Sequence, residues 1–307
     1  MMNQEKKFED QIKDGNFVLT AEYLPKAETD GSSLMAVLPA LKEVPSAVNV
    51  SDNPYGIVIS SMAASLLLAR SGIEPICQVI TRDRNRIAIQ SDLLGAAALG
   101  IKNILCHSGF HQMLTDNPES SNVYDIDSIQ MIAMVKNMRE KGELLNGAKI
   151  GGSFPMFIGT SANPFLKPIE LNIIRLMQKI DSGAGFIQTR AVFNVDEFKQ
   201  WVAAARDAGI MEKTAILAGV LPLESADEAI NLADTYTEIQ IPSGVIGRLR
   251  SAGDKQAQKK EGLAICVETI QKLKEVPGVR GIHILSGGKE DCIPEILSAS
   301  GLAGKRQ

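Results

Sequence analysis

Short runs of aliphatic and β-branched residues recur along the chain, and most are followed by a polar or glycine-rich stretch and then by a helical pattern. The runs are apolar at nearly every position, which indicates strands that are buried on both faces of a parallel sheet. Eight strands are predicted in this way, at Phe17–Ala21, Ala47–Ser51, Pro75–Ile80, Asn103–Cys106, Lys149–Phe154, Phe186–Thr189, Ala215–Val220 and Gly281–Leu285.

Helical periodicity fills most of the intervals between these strands. Three of the predicted helices, each followed by a glycine that is a common helix stop, cover Ile87–Leu99, Ile126–Lys141 and Lys167–Ser182. Eight strand–helix units in 307 residues favour a closed (β/α)8 TIM barrel over an open doubly wound sheet. We therefore expect a single domain over residues 1–307, with loose termini at 1–14 and 303–307. The most polar window, Gly247–Gly262, is expected to be a solvated loop and a helix start.

Composition narrows the class of protein. The chain has 32 Lys and Arg against 36 Asp and Glu, without the basic excess of a nucleic-acid-binding protein. It has no apolar run long enough for a membrane span, and its first residues lack the apolar segment of a secretory signal. The four cysteines are scattered without a CxxC pair, which is typical of reduced thiols in a cytoplasmic protein. We expect a cytoplasmic protein with neither nucleic acid nor membrane as a partner.

The active site of a barrel lies at the carboxyl ends of its strands, and this rule selects the candidate residues. Glu22 ends the first strand, where a carboxylate on an apolar strand is costly unless it is paired or has a function. His107 and His111 straddle Gly109 on a loop without a converging acidic or cysteine partner, so we expect no metal site. Cys106 and His283 are expected to be buried core residues, and the stretch 286–289 is either a phosphate-binding turn or an ordinary one.

Five stretches in a fixed order resemble the methylenetetrahydrofolate reductase family, in its short bacterial form without a regulatory extension. They are Thr20–Pro25, Val48–Asn53, Thr81–Gly95, Lys179–Thr189 and Leu217–Pro222. The order and spacing hold from about residue 15 to about residue 295. The resemblance implies a (β/α)8 barrel that binds a flavin, FAD or FMN, and interconverts 5,10-methylenetetrahydrofolate and 5-methyltetrahydrofolate in one-carbon metabolism. It also implies a tetrahydrofolate-type substrate, an electron donor or partner subunit, and an oligomer.

Carried over position by position, the resemblance makes Glu22 the acid that supports protonation of the folate N10; the alternative is a structural cap or ion pair. The positions that it places at the flavin are Ser51, Gln78, His107, Ser108, Gly109, Tyr124, Asn163 and Lys179. Gly109 matches a glycine whose backbone passes close under the flavin ring. Lys179 matches a lysine at the cofactor phosphates, although a helical lysine is more often solvated. Ser51 is alternatively a simple turn residue.

Three positions depart from the family pattern. Phe110 stands where the family has an aspartate that contacts the pterin, Arg190 where it has a pterin-binding glutamine, and Gln78 where it commonly has a histidine. Neighbours such as Gln188, His107 or His111 could replace the lost hydrogen bonds. Alternatively, Phe110 stacks on a planar ring, and Arg190 grips a carboxylate or phosphate or pairs with Glu22. The substrate-binding candidates are therefore Phe110, Gln188 and Arg190.

Two other functions remain open on the same barrel. One is a transferase or demethylase that binds tetrahydrofolate as a methyl carrier without redox chemistry. The other is a non-catalytic partner subunit that keeps the barrel for assembly.

Overall fold

A computed structural model describes residues 7–236 and 239–303 of the chain. Eight parallel strands follow one another around a closed barrel, and β8 pairs with β1 to complete it. The strands are β1 Val18–Tyr23, β2 Ala47–Val50, β3 Pro75–Ile80, β4 Asn103–His107, β5 Phe157–Ala162, β6 Phe186–Ala191, β7 Ala215–Val220 and β8 Val279–Ile284. The predicted (β/α)8 TIM barrel is therefore confirmed.

Helices separate the strands and cover the outside of the barrel. They are α1 Phe8–Lys13, α2 Ser32–Lys42, α3 Ser61–Arg70, α4 Arg86–Ala98, α5 Ser128–Lys141, α6 Ile169–Asp181, α7 Val195–Asp207, α8 Ala226–Thr235, α9 Ser243–Ser251, α10 Lys255–Lys274 and α11 Ile293–Ala299. The polar window 247–262 thus holds the end of α9 and the start of α10. None of the helices in the described part of the chain is both long and apolar enough to cross a membrane.

Local sequence signals explain where the helices begin and end. Helix α5 starts with a capping box, in which the Asp127 carboxylate accepts from the Gln130 amide and the Gln130 side chain accepts from the Asp127 amide. It ends at Gly142, whose φ of 62° is the left-handed conformation that favours glycine. The predicted glycine stop is thus confirmed for this helix.

The fifth strand lies later in the chain than the sequence predicts. The prediction of Lys149–Phe154 is wrong, because β5 spans Phe157–Ala162. Within the predicted run, Lys149 forms only an isolated antiparallel bridge with Glu143, and Gly152 has a φ of 87° that breaks extended structure. Pro155 follows and has no N–H to donate to a ladder, so regular pairing starts only after it.

Helix α1 closes the amino-terminal end of the barrel, which corrects the prediction of a loose segment over 1–14. Phe8 is fully buried and meets the rings of Phe157 and Phe186 edge-on, at centroid distances of 5.9 and 5.1 Å. Gly159 makes room for these rings, since a Cβ there would lie 2.1 Å from the Phe186 ring. The bottom of the barrel is thus a solid apolar layer. The predictions for 1–6 and 304–307 lie outside the described residues.

Candidate active site

A cavity of about 950 Å³ opens at the carboxyl ends of the strands. Eleven of the twelve candidate residues line it, namely Glu22, Ser51, Gln78, His107, Ser108, Gly109, Phe110, Asn163, Lys179, Gln188 and Arg190. The exception is Tyr124, which is 40% exposed with a φ of 39° and lies outside this lining. The fold therefore gathers residues from six different strands and their loops into one chamber.

A chain of buried polar side chains forms the layer beneath the cavity. Asn49 Nδ2 donates to Gln188 Oε1 at 2.6 Å, and Gln188 Nε2 donates to Thr20 Oγ1 at 3.2 Å. Thr20 Oγ1 in turn lies 2.9 Å from Nδ1 of His283, which is buried as the sequence predicts. Because both ends of the Gln188 amide are engaged, this residue ties β1, β2 and β6 together across the barrel. Asn49 Oδ1 has no partner among the described residues.

Glu22 stands on β1 directly above this layer. The Ser51 hydroxyl donates to Glu22 Oε1 at 2.7 Å. Burial raises the pKa of the Glu22 carboxyl above its usual value, and the nearby negative charge of Glu290 adds to the rise. The Ser51 hydrogen bond and the charge of Arg190 act in the opposite direction. Glu22 is therefore an acid that keeps its proton to a higher pH than a solvated glutamate.

Gln78 and His107 form a pair on adjacent strands of the cavity wall. His107 Nε2 lies 3.1 Å from Gln78 Oε1. Burial, which has the largest effect, and the positive charges of Arg190, Lys179 and Arg82 together lower the pKa of His107 to about 3. The imidazole is therefore neutral, and because an amide oxygen only accepts, the ring proton is on Nε2.

Position 109 requires glycine because of its backbone conformation. Its φ is 83°, and a Cβ there would lie 3.2 Å from Ile80 Cδ1 and 3.4 Å from Arg82 Cβ. A side chain would thus point toward the barrel wall, so close approach of a ligand is not required to explain this glycine. Arg82 holds the same loop by donating to the Phe110 carbonyl at 3.2 Å and to the Asn53 carbonyl at 2.9 Å.

Two cations one helical turn apart on α6 line another part of the cavity. Lys179 Nζ donates to the Ser161 carbonyl at 2.7 Å, and burial together with the charge of Arg175 lowers its pKa to about 8. The sequence analysis missed Arg175, although its spacing of four residues from Lys179 could have indicated it. Asn163 lies at the same wall, where its side chain accepts from the Phe165 amide at 3.0 Å.

Aromatic rings from three loops meet at the cavity mouth. Phe110 stacks on Tyr55 with 6.3 Å between ring centroids and packs against Tyr236 at 4.9 Å. The Arg190 guanidinium lies over the Phe110 ring. The sequence analysis missed Tyr55, which follows β2, and Tyr236, which follows α8, because neither shares a local pattern with Phe110.

Three other candidates from the sequence are engaged in contacts within the protein. Lys289 Nζ donates to Glu228 Oε1 at 2.6 Å and to the Pro222 carbonyl at 2.9 Å, which ties the loops after β7 and β8 together. His111 accepts from the Met113 amide at 3.2 Å on its loop, and Cys106 is fully buried as predicted. Residues 7–236 and 239–303 contain no group of three or more His, Cys, Asp or Glu arranged to hold a metal ion.

The family model and the curated relatives indicate one family. The family model described as methylenetetrahydrofolate reductase matches residues 7–301. A protein of Caenorhabditis elegans described as a probable methylenetetrahydrofolate reductase (NADPH) is 25% identical over 80% of this chain and 35% of its own length. A 5,10-methylenetetrahydrofolate reductase of Buchnera aphidicola is 26% identical over 47% of this chain and 50% of its own. The chain thus spans about a third of the nematode relative.

Solved structures with the same fold include one whose described ligand is a folate. It is a Clostridium thermocellum protein described as binding two copies of 5-methyl-5,6,7,8-tetrahydrofolic acid. The match has a TM-score of 0.65, covers 95% of this chain and 97% of the other, and has 13% sequence identity. At this identity the likeness supports the barrel fold.

Proposed function

Because the chain belongs to the methylenetetrahydrofolate reductase family, we propose that it interconverts 5,10-methylenetetrahydrofolate and 5-methyltetrahydrofolate with a flavin in the barrel mouth. In the reducing direction the bond between the methylene carbon and folate N10 breaks, N10 gains a proton and the carbon gains a hydride. The observation that carries the proposal is Glu22, a desolvated acid on the wall of a large cavity.

Glu22 supplies the proton in this proposal. Its raised pKa keeps the carboxyl protonated to a higher pH than that of a solvated glutamate, which suits a general acid. The Ser51 hydroxyl holds the carboxyl group by the 2.7 Å hydrogen bond. In the reverse direction the Glu22 carboxylate takes the proton back from N10. Ser51 therefore positions the Glu22 carboxyl group, in addition to any contact that it makes with a cofactor.

The cavity residues fit a flavin in size and chemistry. About 950 Å³ is at the upper end of the range for ligand cavities and suits a large planar group. Gln78, His107, Ser108 and Asn163 offer hydrogen bonds on one wall, and Lys179 offers a cation for phosphate. A bound flavin supplies the hydride at its N5. These five residues are the ones that would hold it.

The mouth residues are proposed to bind the folate. Phe110 offers an aromatic face among Tyr55 and Tyr236, which suits stacking on a planar ring. Arg190 lies against that face, and Gln188 holds the layer below.

The test is the colour and turnover of the purified protein after addition of FAD or FMN. We expect a yellow protein whose visible flavin absorption bleaches when 5-methyltetrahydrofolate is added anaerobically. A colourless protein that binds 5-methyltetrahydrofolate would contradict the redox function and favour the methyl-carrier alternative. A protein that binds neither ligand would overturn the proposal and favour the role of a partner subunit.

A further inference from the structure

The turn after β8 folds around one buried carboxyl group, that of Glu290. Its side chain is buried, and its Oε1 accepts a hydrogen bond from the Leu24 amide at 2.9 Å and another from the Ser286 hydroxyl at 3.1 Å. The Ser286 hydroxyl oxygen also accepts from the Gly288 amide at 3.1 Å. Glu290 therefore joins the loop after β1 to the turn after β8. Two donors on one oxygen are a setting that favours a carboxylate.

This turn lies beside the Glu22 carboxyl group. Strands β1 and β8 pair in parallel with Ala21 opposite Ile284, so Glu22 and the turn follow the same edge of the barrel. The backbone of Gly287 donates a hydrogen bond to Glu22, and the negative charge of Glu290 acts on the same group. Gly287 lines the cavity, whereas Glu290 is not among the described residues that line it. Glu290 can therefore influence a reaction only through Glu22.

Several groups around Glu22 act on its pKa in opposite directions. Burial has the largest effect and raises it. The Ser51 hydroxyl after β2, the positive charge of Arg190 on β6 and the backbone of the turn favour the ionised form. Tyr55, from the loop after β2, stays neutral because burial raises the pKa of its hydroxyl well above its usual value. The charge that opposes these donors comes from Glu290.

We propose that Glu290 is a positioning residue for the acid: it holds the turn after β8 against β1 and keeps a negative charge beside Glu22, so that Glu22 retains its proton for delivery. Without this charge, Arg190 and the hydrogen-bond donors would favour the carboxylate, which has no proton to give. The inference rests on the proposed function, in which Glu22 protonates folate N10. It assigns two separable tasks to Glu290, a structural clamp and a charge.

The substitution Glu290→Gln separates these tasks, because the amide oxygen can still accept from Leu24 and Ser286 while the charge is removed. Protonation of Glu22 is followed through its carboxyl C=O band in infrared difference spectra of the purified protein, and Glu22→Gln identifies the band. We expect Glu22 to bind its proton roughly 3- to 30-fold less tightly in Glu290→Gln. Turnover in the reducing direction should then decline at lower pH, with the activity at low pH retained. The control is Glu295→Gln, an exposed position on α11, which should leave the midpoint of the band unchanged.

The substitution Glu290→Asp tests the same assignment from the other side, because it keeps the charge on a shorter side chain. If the charge acts on Glu22, the midpoint for Glu290→Asp lies between those of the unmodified protein and Glu290→Gln. A role as a clamp alone would disturb Glu290→Asp more than Glu290→Gln, and that order overturns the proposal. If Glu290→Gln does not fold, a lowered midpoint in Glu290→Asp supports the proposal and an unchanged one overturns it.

The infrared and turnover measurements separate this inference from the proposed function. A lowered midpoint for Glu22 in Glu290→Gln, without folate turnover by any of the proteins, supports the effect of Glu290 on Glu22 and overturns the proposed function. An unchanged midpoint in Glu290→Gln, with turnover that keeps the pH profile of the unmodified protein, overturns the inference and leaves the proposed function intact.

Discussion

The guanidinium carbon of Arg190 lies 4.7 Å from the centroid of the Phe110 ring, so two residues that depart from the family pattern touch each other. Phe110 follows β4 and Arg190 lies in β6, and β5 separates these two strands in the barrel. A cation over an aromatic face is stabilised by about 0.5 to 2 kcal/mol, depending on its exposure. Phe110 and Arg190 therefore interact directly, so the effect of changing one is expected to depend on the other.

This contact predicts coupling in a double-mutant cycle. Phe110→Leu and Arg190→Met should together cost about 0.5–1 kcal/mol less free energy of unfolding than the sum of the single changes. Urea unfolding measures each value. Phe110→Leu combined with Arg206→Met, on an exposed part of α7, is the control and should be additive. Additivity in the Phe110–Arg190 cycle would show that the contact contributes nothing.

Phe110 and Arg190 offer the folate a stacking face but not the two hydrogen bonds to the pterin that the family residues at these positions are expected to make, so restoring the family residues should strengthen folate binding. Phe110→Asp with Arg190→Gln supplies hydrogen-bonding groups for two positions of the pterin, each worth about 1–3 kcal/mol when it would otherwise stay unpaired. We expect roughly 30- to 10⁴-fold tighter binding of tetrahydrofolate in a calorimetric titration, with unfolding checked in parallel because Arg190 also lies near Glu22. Micromolar or tighter folate binding by the unmodified protein would contradict this expectation.

Glu22 should control both the rate of folate reduction and its pH dependence. Glu22→Gln should lower folate turnover by roughly 10²–10⁴-fold while reduction of the flavin is unchanged. Because the protonated carboxyl is the active form, turnover should decline as the pH rises through the raised pKa of Glu22. Ser51→Ala removes a hydrogen bond that lowers this pKa, so the decline should move to higher pH. An identical profile in Glu22→Gln would remove this residue from the mechanism.

Glu22 should also make the free energy of unfolding depend on pH, in a direction that can be measured. The native state holds the Glu22 proton more tightly than the unfolded chain, so the free energy of unfolding falls as the pH rises from the unfolded pKa through the raised one. Glu22→Gln does not titrate and should therefore be at least as stable as the unmodified protein at neutral pH. The stability of Glu22→Gln therefore shows whether a loss of activity in this variant comes from the missing acid or from unfolding.

Lys179 should make the binding of phosphorylated flavins depend on pH. Its pKa of about 8 means that it loses its positive charge as the pH rises past that value. The affinity for FMN should therefore fall above pH 8, whereas the affinity for riboflavin, which has no phosphate, should not. Lys179→Met should remove the difference, and Lys199→Met on α7 should preserve it. An unchanged FMN affinity in Lys179→Met would contradict a role at the phosphate.

The barrel fold could be predicted from the sequence because buried parallel strands leave continuous apolar runs, as at β3 and β7. It misplaced β5, because Lys149–Phe154 has Ile150 and Phe154 as its only large apolar residues, and Gly152 and Pro155 exclude the extended backbone of a strand. Residues at strand ends, such as Glu22, were predictable because the fold fixes where strand ends lie. Tyr55 and Tyr236 were not, because their contact with Phe110 arises from loops whose paths have no periodic signal.

The ring of Phe8 should be a large contributor to stability. It is fully buried between the rings of Phe157 and Phe186, so Phe8→Ala should cost about 3–5 kcal/mol of the free energy of unfolding. Phe17 is 40% exposed, and Phe17→Ala is the matched control with a much smaller expected cost. A loss below about 1 kcal/mol for Phe8→Ala would mean that α1 does not seal the barrel.

Because the amino-terminal end of the barrel is filled, the cavity opens at the carboxyl ends of the strands. Phe8, Phe157 and Phe186 fill the interior at the amino-terminal side, so whatever enters the chamber must come and go past the aromatic rings at the top. If two ligands occupy the chamber together, the deeper one can be exchanged only after the outer one has left, so the order of binding and release would follow from the shape of the cavity.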